Sequence, residues 1–219
     1  MTTQAPARPA IRRNMPEAER RACLLQAARH IFLREGYAAA NMADIASLAG
    51  MSKKTLYQLF SSKAELFEAL VVYSLSPLRP EMDDTGLDME QALYRRLQRI
   101  AQVLLVPEQI GLLRLVSAEG QRYPELADAF NRIGPGGSAE ELERWLAAQA
   151  QAGRLEIEDA RDCAHMLIGM VLGGLHIAML LGLMDRPPLE PLEARLRQAT
   201  RIFLRGARPE GMPDEKVVF

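Results

Sequence analysis

The sequence predicts an all-α protein of about nine helices, on three observations. Alanine and leucine dominate while aromatic residues make up only 5% of the chain, a composition that favours helices. Apolar residues recur at spacings of three and four in one segment after another, from Leu24 to Phe203. Ser, Asn and Asp stand just ahead of several stripes, and Gly or Pro just past them, where helices start and stop. With 219 residues, 48% of them hydrophobic, the chain has room for one large or two small domains and an ample core.

Residues 1–14 are rich in proline, alanine and arginine and predict a disordered arm. Arg8, Arg12 and Arg13 read either as a solvated tail or as an arm that follows phosphates or enters a minor groove. The first helix should start near Pro16, a residue tolerated in an initial turn, and stop at Gly36. Its apolar stripe is Leu24, Ala28, Ile31 and Phe32, and its job is to brace the next two helices. Arg20 and Arg21 are either solvated or within reach of a nucleic-acid backbone.

The stretch 41–63, NMADIASLAGMSKKTLYQLFSSK, reads as two short helices joined by a tight turn. Asn41 can cap the first, and Asp44 favours its positive end. Ile45, Leu48 and Ala49 should face a core. Gly50 falls where the chain reverses, and a positive φ there costs glycine almost nothing. Ser52 then caps a second helix starting at Lys53, with Leu56, Leu59 and Phe60 inward and Lys53, Lys54, Tyr57 and Gln58 on the other side. Small Ala46, the turn glycine and apolar Leu56 let two helices cross closely. That is the helix-turn-helix arrangement, whose second helix is free to enter a major groove. The bland alternative is a helical hairpin with a solvated lysine face. A helix before the motif and a capped helix directly after it favour DNA binding.

Ser62 and Glu65 form the capping box of a fourth helix over about 63–75, with Leu66, Leu70 and Tyr73 inward. Pro77, Pro80 and Gly86 mark a linker over 77–87, which leaves 15–76 as the DNA-binding domain. From Asp88 to 206 the pattern is helix after helix, and 207–219 looks like a flexible tail. Leu93, Leu97, Ile100, Ala101 and Leu104 form a stripe that ends before Pro107. The next piece, 108–120, carries Leu112, Leu115 and Val116 inward. Pro124 opens a helix that GPGG at 134–137 should interrupt, with Ser138 capping a successor over 139–152. The run 164–184, AHMLIGMVLGGLHIAMLLGLM, is about long enough to cross a bilayer and holds no full charge. Its two histidines, its central glycines and the lack of an aromatic belt or basic flank favour burial inside the protein and against a second copy. The last helix, 189–206, places Leu192, Leu196, Ala199 and Phe203 on one face.

The formal net charge is −1, unevenly spread: ten basic and four acidic residues up to Lys63 leave +6 there and −7 beyond. This asymmetry fits a DNA-facing end joined to an acidic body. Cys23 and Cys163 fall into no metal-ligand spacing, so reduced thiols of a cytoplasmic protein are expected, with no metal and no cofactor. No apolar run follows the first charges, so no secretory signal is expected. No Gly-rich phosphate loop, HExxH or GxSxG is present, and no nucleophile, base and orienting group fall together, so an enzyme is not expected.

The words AARHIFLREGY and NMADIASLAGMSKKTLYQLFSSKAELFEAL resemble the N-terminal domain of the TetR/AcrR family of bacterial transcriptional regulators, over residues 20–74. The C-terminal half resembles an AefR-type regulator. The chain departs from the family pattern at Leu59, where tyrosine or histidine is frequent, and at Lys54, where a small residue is common. The resemblance implies an N-terminal three-helix helix-turn-helix domain and a C-terminal helical bundle, 88–206, for dimerisation and ligand binding. Lys53 then opens the recognition helix. Lys53 and Lys54 become candidates for base edges, with Gln58 further along for an adenine. Thr55, Tyr57 and Lys63 match the family's phosphate contacts, although Tyr57 also reads as a packing residue. Asn41 and Met42 set a helix N-terminus against another phosphate.

The same resemblance implies a homodimer through 164–183 and 189–206 on a palindromic double-stranded operator, and a small-molecule effector. Met89, Leu93, Arg114, Trp145, His165, Met166 and Met170 are the candidate lining of its cavity. His165 reads as readily as a core histidine, the methionines as plain core, and Arg114 as a surface partner of Glu119. The expected function is a ligand-responsive repressor released by an apolar or aromatic effector. The alternative is an architectural or cell-division regulator on the same fold, without an effector.

Overall fold

The stripes fold as helices. A computed structural model describes residues 15–78 and 80–209, with the backbone alone at 134–138. The expected arm, 1–14, and most of the expected tail lie outside the described residues. Those residues form nine α-helices and one short 3-10 turn, Ser76–Leu78, and hold no strand. They divide into two compact units, one up to Tyr73 and one from Ser74 onward.

In the first unit, α1 (Glu17–Ala39) is broken at Gly36, whose φ of 82° suits glycine and strains any other residue. The break returns Tyr37 to the core. Its ring stacks on Phe32 at 5.6 Å and meets Phe67 edge-on at 5.9 Å. Next come α2 (Met42–Leu48), α3 (Lys53–Leu59) and α4 (Lys63–Ser74). Leu24, Ala28, Ile31, Phe32, Ile45, Leu56, Phe60, Leu66, Phe67 and Leu70 are all 2% exposed or less. Burying each larger side chain of this kind contributes about 1.5–3 kcal/mol. That contribution holds α2 and α3, seven residues each, which would not persist alone in water.

Two expectations change here. Leu48 is 50% exposed, and the buried face of α2 is Met42, Ile45, Ala46 and Ala49. At 3.6 residues per turn Leu48 stands roughly 100° from the centre of that face. The capping box of α4 forms only on one side: Ser62 Oγ accepts the Glu65 N–H at 3.1 Å. The Glu65 carboxylate instead takes the N–H and hydroxyl of Ser61, at 2.7 and 2.6 Å, which hold its carboxyl below the usual range.

The second unit comprises α5 (Met89–Leu104), α6 (Pro107–Glu119), α7 (Pro124–Gln151), α8 (Ala160–Leu180) and α9 (Leu189–Gly206). Asp88 and Gln91 close a complete capping box on α5. α8 packs against α5, α6, α7 and α9. It is the one described helix long and apolar enough to cross a membrane unaided. Only a third of it is buried, on the side facing those neighbours.

α7 departs from the expected pair of helices. It runs unbroken from Pro124 to Gln151, so neither the interruption at 134–137 nor a new helix capped by Ser138 exists. A proline has a helical φ and bends a helix more readily than it ends one when packing holds both halves. Leu126 and Ala129 are buried before the motif, and Ala139, Leu142 and Leu146 after it.

A polar cluster braces this unit. Arg96 lies within the apolar stripe of α5 and is only 3% exposed. Its guanidinium grips both oxygens of Asp84, at 2.8 and 2.9 Å, and donates to Glu141 at 3.2 Å. It also stacks 4.6 Å from the ring centre of Trp145, whose indole N–H donates to Asp84 at 2.9 Å. Arg99 donates to the Pro80 carbonyl at 2.8 Å and pairs with Glu141 at 3.4 Å. The segment leading into α5 is therefore pinned to α5 and α7. Bonding to Arg96 holds the Asp84 carboxyl below its ordinary range against the opposing effect of burial.

Candidate nucleic-acid interface

The turn between α2 and α3 is built from local bonds. Asn41 Oδ1 accepts the Ala43 N–H at 2.7 Å and starts α2. Gly50, at φ 67°, reverses the chain, and the Met51 N–H bonds the Ala46 carbonyl at 2.8 Å. Ser52 Oγ accepts the Thr55 N–H at 3.0 Å and starts α3. The two hydroxyls of Ser52 and Thr55 lie 2.9 Å apart, so Thr55 is engaged within its own helix and half-buried.

On α3, Leu56 is buried and Leu59 half-buried. Lys53, Lys54, Tyr57 and Gln58 are exposed, Tyr57 by 51%, and fall within roughly 140° of arc at helical spacing. The structure thus brings these four onto one free face of the second helix, where a major groove is read. Met42 sits at the start of α2 with its side chain buried, so only its backbone remains for an anion.

Lys63 is placed differently from the sequence expectation. Its Nζ donates to the carbonyls of Tyr37 (2.6 Å), Ala38 (3.3 Å) and Ala40 (3.0 Å), and lies 4.5 Å from the Tyr37 ring centre. An ammonium has three protons to give, and these carbonyls match that number. Lys63 therefore ties α4 to the end of α1. Arg21 is likewise inward: Nη1 donates to the Leu59 carbonyl at 3.1 Å, and the guanidinium lies 4.4 Å from the Phe60 ring centre. Both cations are plain in the sequence, but their acceptors are not, lying as far as 26 and 38 positions away.

The candidate ligand lining is not gathered in the same way. Leu93 is core and Trp145 holds Asp84. Arg114 does not turn to a cavity: it donates to the Leu180 carbonyl at 3.1 Å and to that of Met179, capping the end of α8. Met166 and Met170 are exposed on the outer side of α8, while Met89 and His165 are half-buried. Burial pushes the His176 imidazole down, opposed by a hydrogen bond to the Leu104 carbonyl, so a neutral ring is favoured there. Burial and nearby Asp159, Asp162 and Glu158 push the Cys163 thiol up, which keeps it protonated and unreactive. Among the described residues no group of three or more His, Cys, Asp and Glu is disposed to hold a metal.

Comparison with known proteins agrees with this geometry. Residues 24–70 match the family described as bacterial regulatory proteins, tetR family. Residues 91–206, more than half the chain, match the AefR-like transcriptional repressor C-terminal domain. The transcriptional activator FasR of Mycolicibacterium smegmatis is 53% identical over 79 residues, 36% of this chain and 33% of FasR. The chain thus matches about a third of that relative's length. A TetR-family transcriptional regulator from Mesorhizobium loti superposes with a TM-score of 0.75 at 25% identity, covering 90% of this chain and all of that one. The flavonoid-responsive regulator FrrA superposes with a TM-score of 0.72 at 29% identity, covering 88% of this chain and 99% of its own. With a helix-turn-helix whose second helix is polar and free, and with both parts of the chain matched, this protein belongs to the TetR family of bacterial transcriptional regulators and carries that family's DNA-binding domain.

Proposed function

We propose that the protein is a homodimeric, ligand-responsive repressor that acts in the cytoplasm on a palindromic operator. The observation that carries the dimer is the outer face of α8. Met166, Met170 and Ile177 follow one another along it at helical spacing and Leu181 continues the row just past its end, with Ile177 60% and Leu181 69% exposed. Ile202 of α9 is exposed as well. A contiguous apolar stripe of this kind stays in water at a cost and marks a protein-binding surface. A second copy, pairing α8 and α9 with their counterparts, removes it from water and forms a four-helix interface. Two-fold pairing then sets two recognition helices about 34 Å apart, one turn of DNA.

In this reading Lys53 and Lys54 meet base edges, with Gln58 behind them, and Tyr57 and the Asn41–Met42 helix start face phosphates. Lys63 acts as a brace. The effector is apolar or aromatic, a reading supported by the likeness to flavonoid-responsive FrrA. A ligand can release DNA only by binding the DNA-free arrangement more tightly than the DNA-bound one. Light scattering at micromolar concentration tests the dimer, and a monomeric mass defeats it. Thermal-shift titration with flavonoids and simpler aromatics tests the effector, since a native-state ligand raises the melting temperature. A compound that raises it without weakening DNA binding counts against the repressor mechanism.

A further inference from the structure

The recognition helix is charged against its own dipole. Lys53 and Lys54 stand in its first turn, at the positive end of the aligned peptide groups, and no basic residue lies in its last turn. With seven residues it cannot hold itself in water. A cation at the start of the helix is well placed to reach a base edge. The placement that suits base reading therefore weakens the helix that does the reading, and the compensation has to come from outside α3.

Arg21 of α1 supplies it. Its Nη1 donates to the Leu59 carbonyl, 3.1 Å away, one of the carbonyls that the last turn of a helix leaves without an internal partner. Its guanidinium lies 4.4 Å from the ring centre of Phe60, which is fully buried and ends the helix in an extended conformation. Arg21 itself is half-buried, so its positive charge sits at the negative end of α3 with less water between. The start of α3 is held by Ser52, its middle by Leu56, and its end by Arg21 and Phe60.

We propose that Arg21 is a positioning residue for base readout: it fixes the far end of the recognition helix and offsets the lysines at the near end, without touching DNA. The planar fork matters, because it donates to a carbonyl and stacks on a ring at once. A lysine keeps the charge and loses that combination.

The test uses the full chain, the duplex that the unaltered protein selects from a random pool, and a random duplex of equal length. Arg21→Met keeps the stem and removes the cation, whereas Arg21→Lys keeps the cation. If Arg21 positions the helix, Arg21→Met lowers affinity for the selected duplex by about tenfold or more, a loss of base discrimination. Affinity for the random duplex and the slope of its salt dependence stay as they were, and amides of 56–60 exchange faster without DNA. Arg21→Lys recovers only part of the discrimination. An equal loss on both duplexes, with the salt slope reduced by about one, makes Arg21 a direct phosphate contact and overturns the proposal. An unchanged ratio of selected to random affinity also overturns it. If Arg21→Met does not fold, Arg21→Lys carries the same comparison: full discrimination overturns positioning, and a reduced ratio at unchanged salt slope supports it.

Discussion

α3 and α8 each bury one side and leave the other in water, and what they leave out differs. The free face of α3 is Lys53, Lys54, Tyr57 and Gln58, and that of α8 is Met166, Met170 and Ile177, continued by Leu181 just past its end. The first is at ease in water and meets a charged polymer only when one is present. The second is not, and calls for a cover that stays. The helices are also held differently. α3 is two turns long and fixed from outside by a cap, a core leucine and Arg21, whereas α8 is 21 residues long and touches four other helices. The polar face thus sits on a short element held at both ends by its neighbours, and the apolar face on a long one packed against four helices.

The contrast is broken most strongly by Ile177→Arg. A charge in the middle of the apolar face should convert a dimer into a monomer and lower operator affinity by about a hundredfold or more, because one module cannot replace two. A variant that stays dimeric with normal binding contradicts the assignment of this face. Next in size is Asp84→Asn, which leaves the buried Arg96 with Glu141 as its remaining carboxylate partner and should cost about 1.5–3 kcal/mol in denaturant unfolding of the second unit. The pH dependence has a definite sign. Because the Asp84 carboxyl is held low in the folded protein, its contribution is full above its ordinary value and is lost as pH falls through the lower folded one. Acid unfolding should therefore be less steep in Asp84→Asn than in the parent.

Lys53→Ala sharpens the other side of the comparison. It should weaken the selected duplex by about 1–3 kcal/mol and random DNA much less. Lys63→Ala is its counterpart within the same unit. Since that ammonium is bonded to the end of α1, its loss should lower the stability of the first unit by about 1–2 kcal/mol. Both duplexes should then weaken alike, at an unchanged salt slope. A slope that falls by about one in Lys63→Ala returns this residue to the phosphate contacts.

Much of the first unit was legible because its signals are local. Asn41 and Ser52 cap the helices they precede, and Gly36 and Gly50 take positive φ where the chain turns. The free face of α3 also follows from the spacing of its apolar residues. Leu48 departs from the periodic reading because a seven-residue helix offers too few positions to define its buried face, and neighbours decide the edge. GPGG does not end α7 because turn propensity is a local cost that packing before and after the motif outweighs. The buried Arg96 had a signal, a cation inside the stripe of Leu93, Leu97 and Ile100, but nothing nearby says that Asp84 and Trp145 answer it.

By itself the sequence determined the helices of the first unit, the turn of the helix-turn-helix and the residues that face outward on α3. Caps, glycine conformations and helical periodicity act within a few positions and need no distant partner. Only the tertiary structure decided what the cations do. Lys63 and Arg21 end on carbonyls of other helices, Arg96 on an aspartate and a tryptophan, and Arg114 on a helix end 66 positions away. A long charged side chain takes the acceptor that folding brings within reach, and that choice is written in packing rather than in spacing.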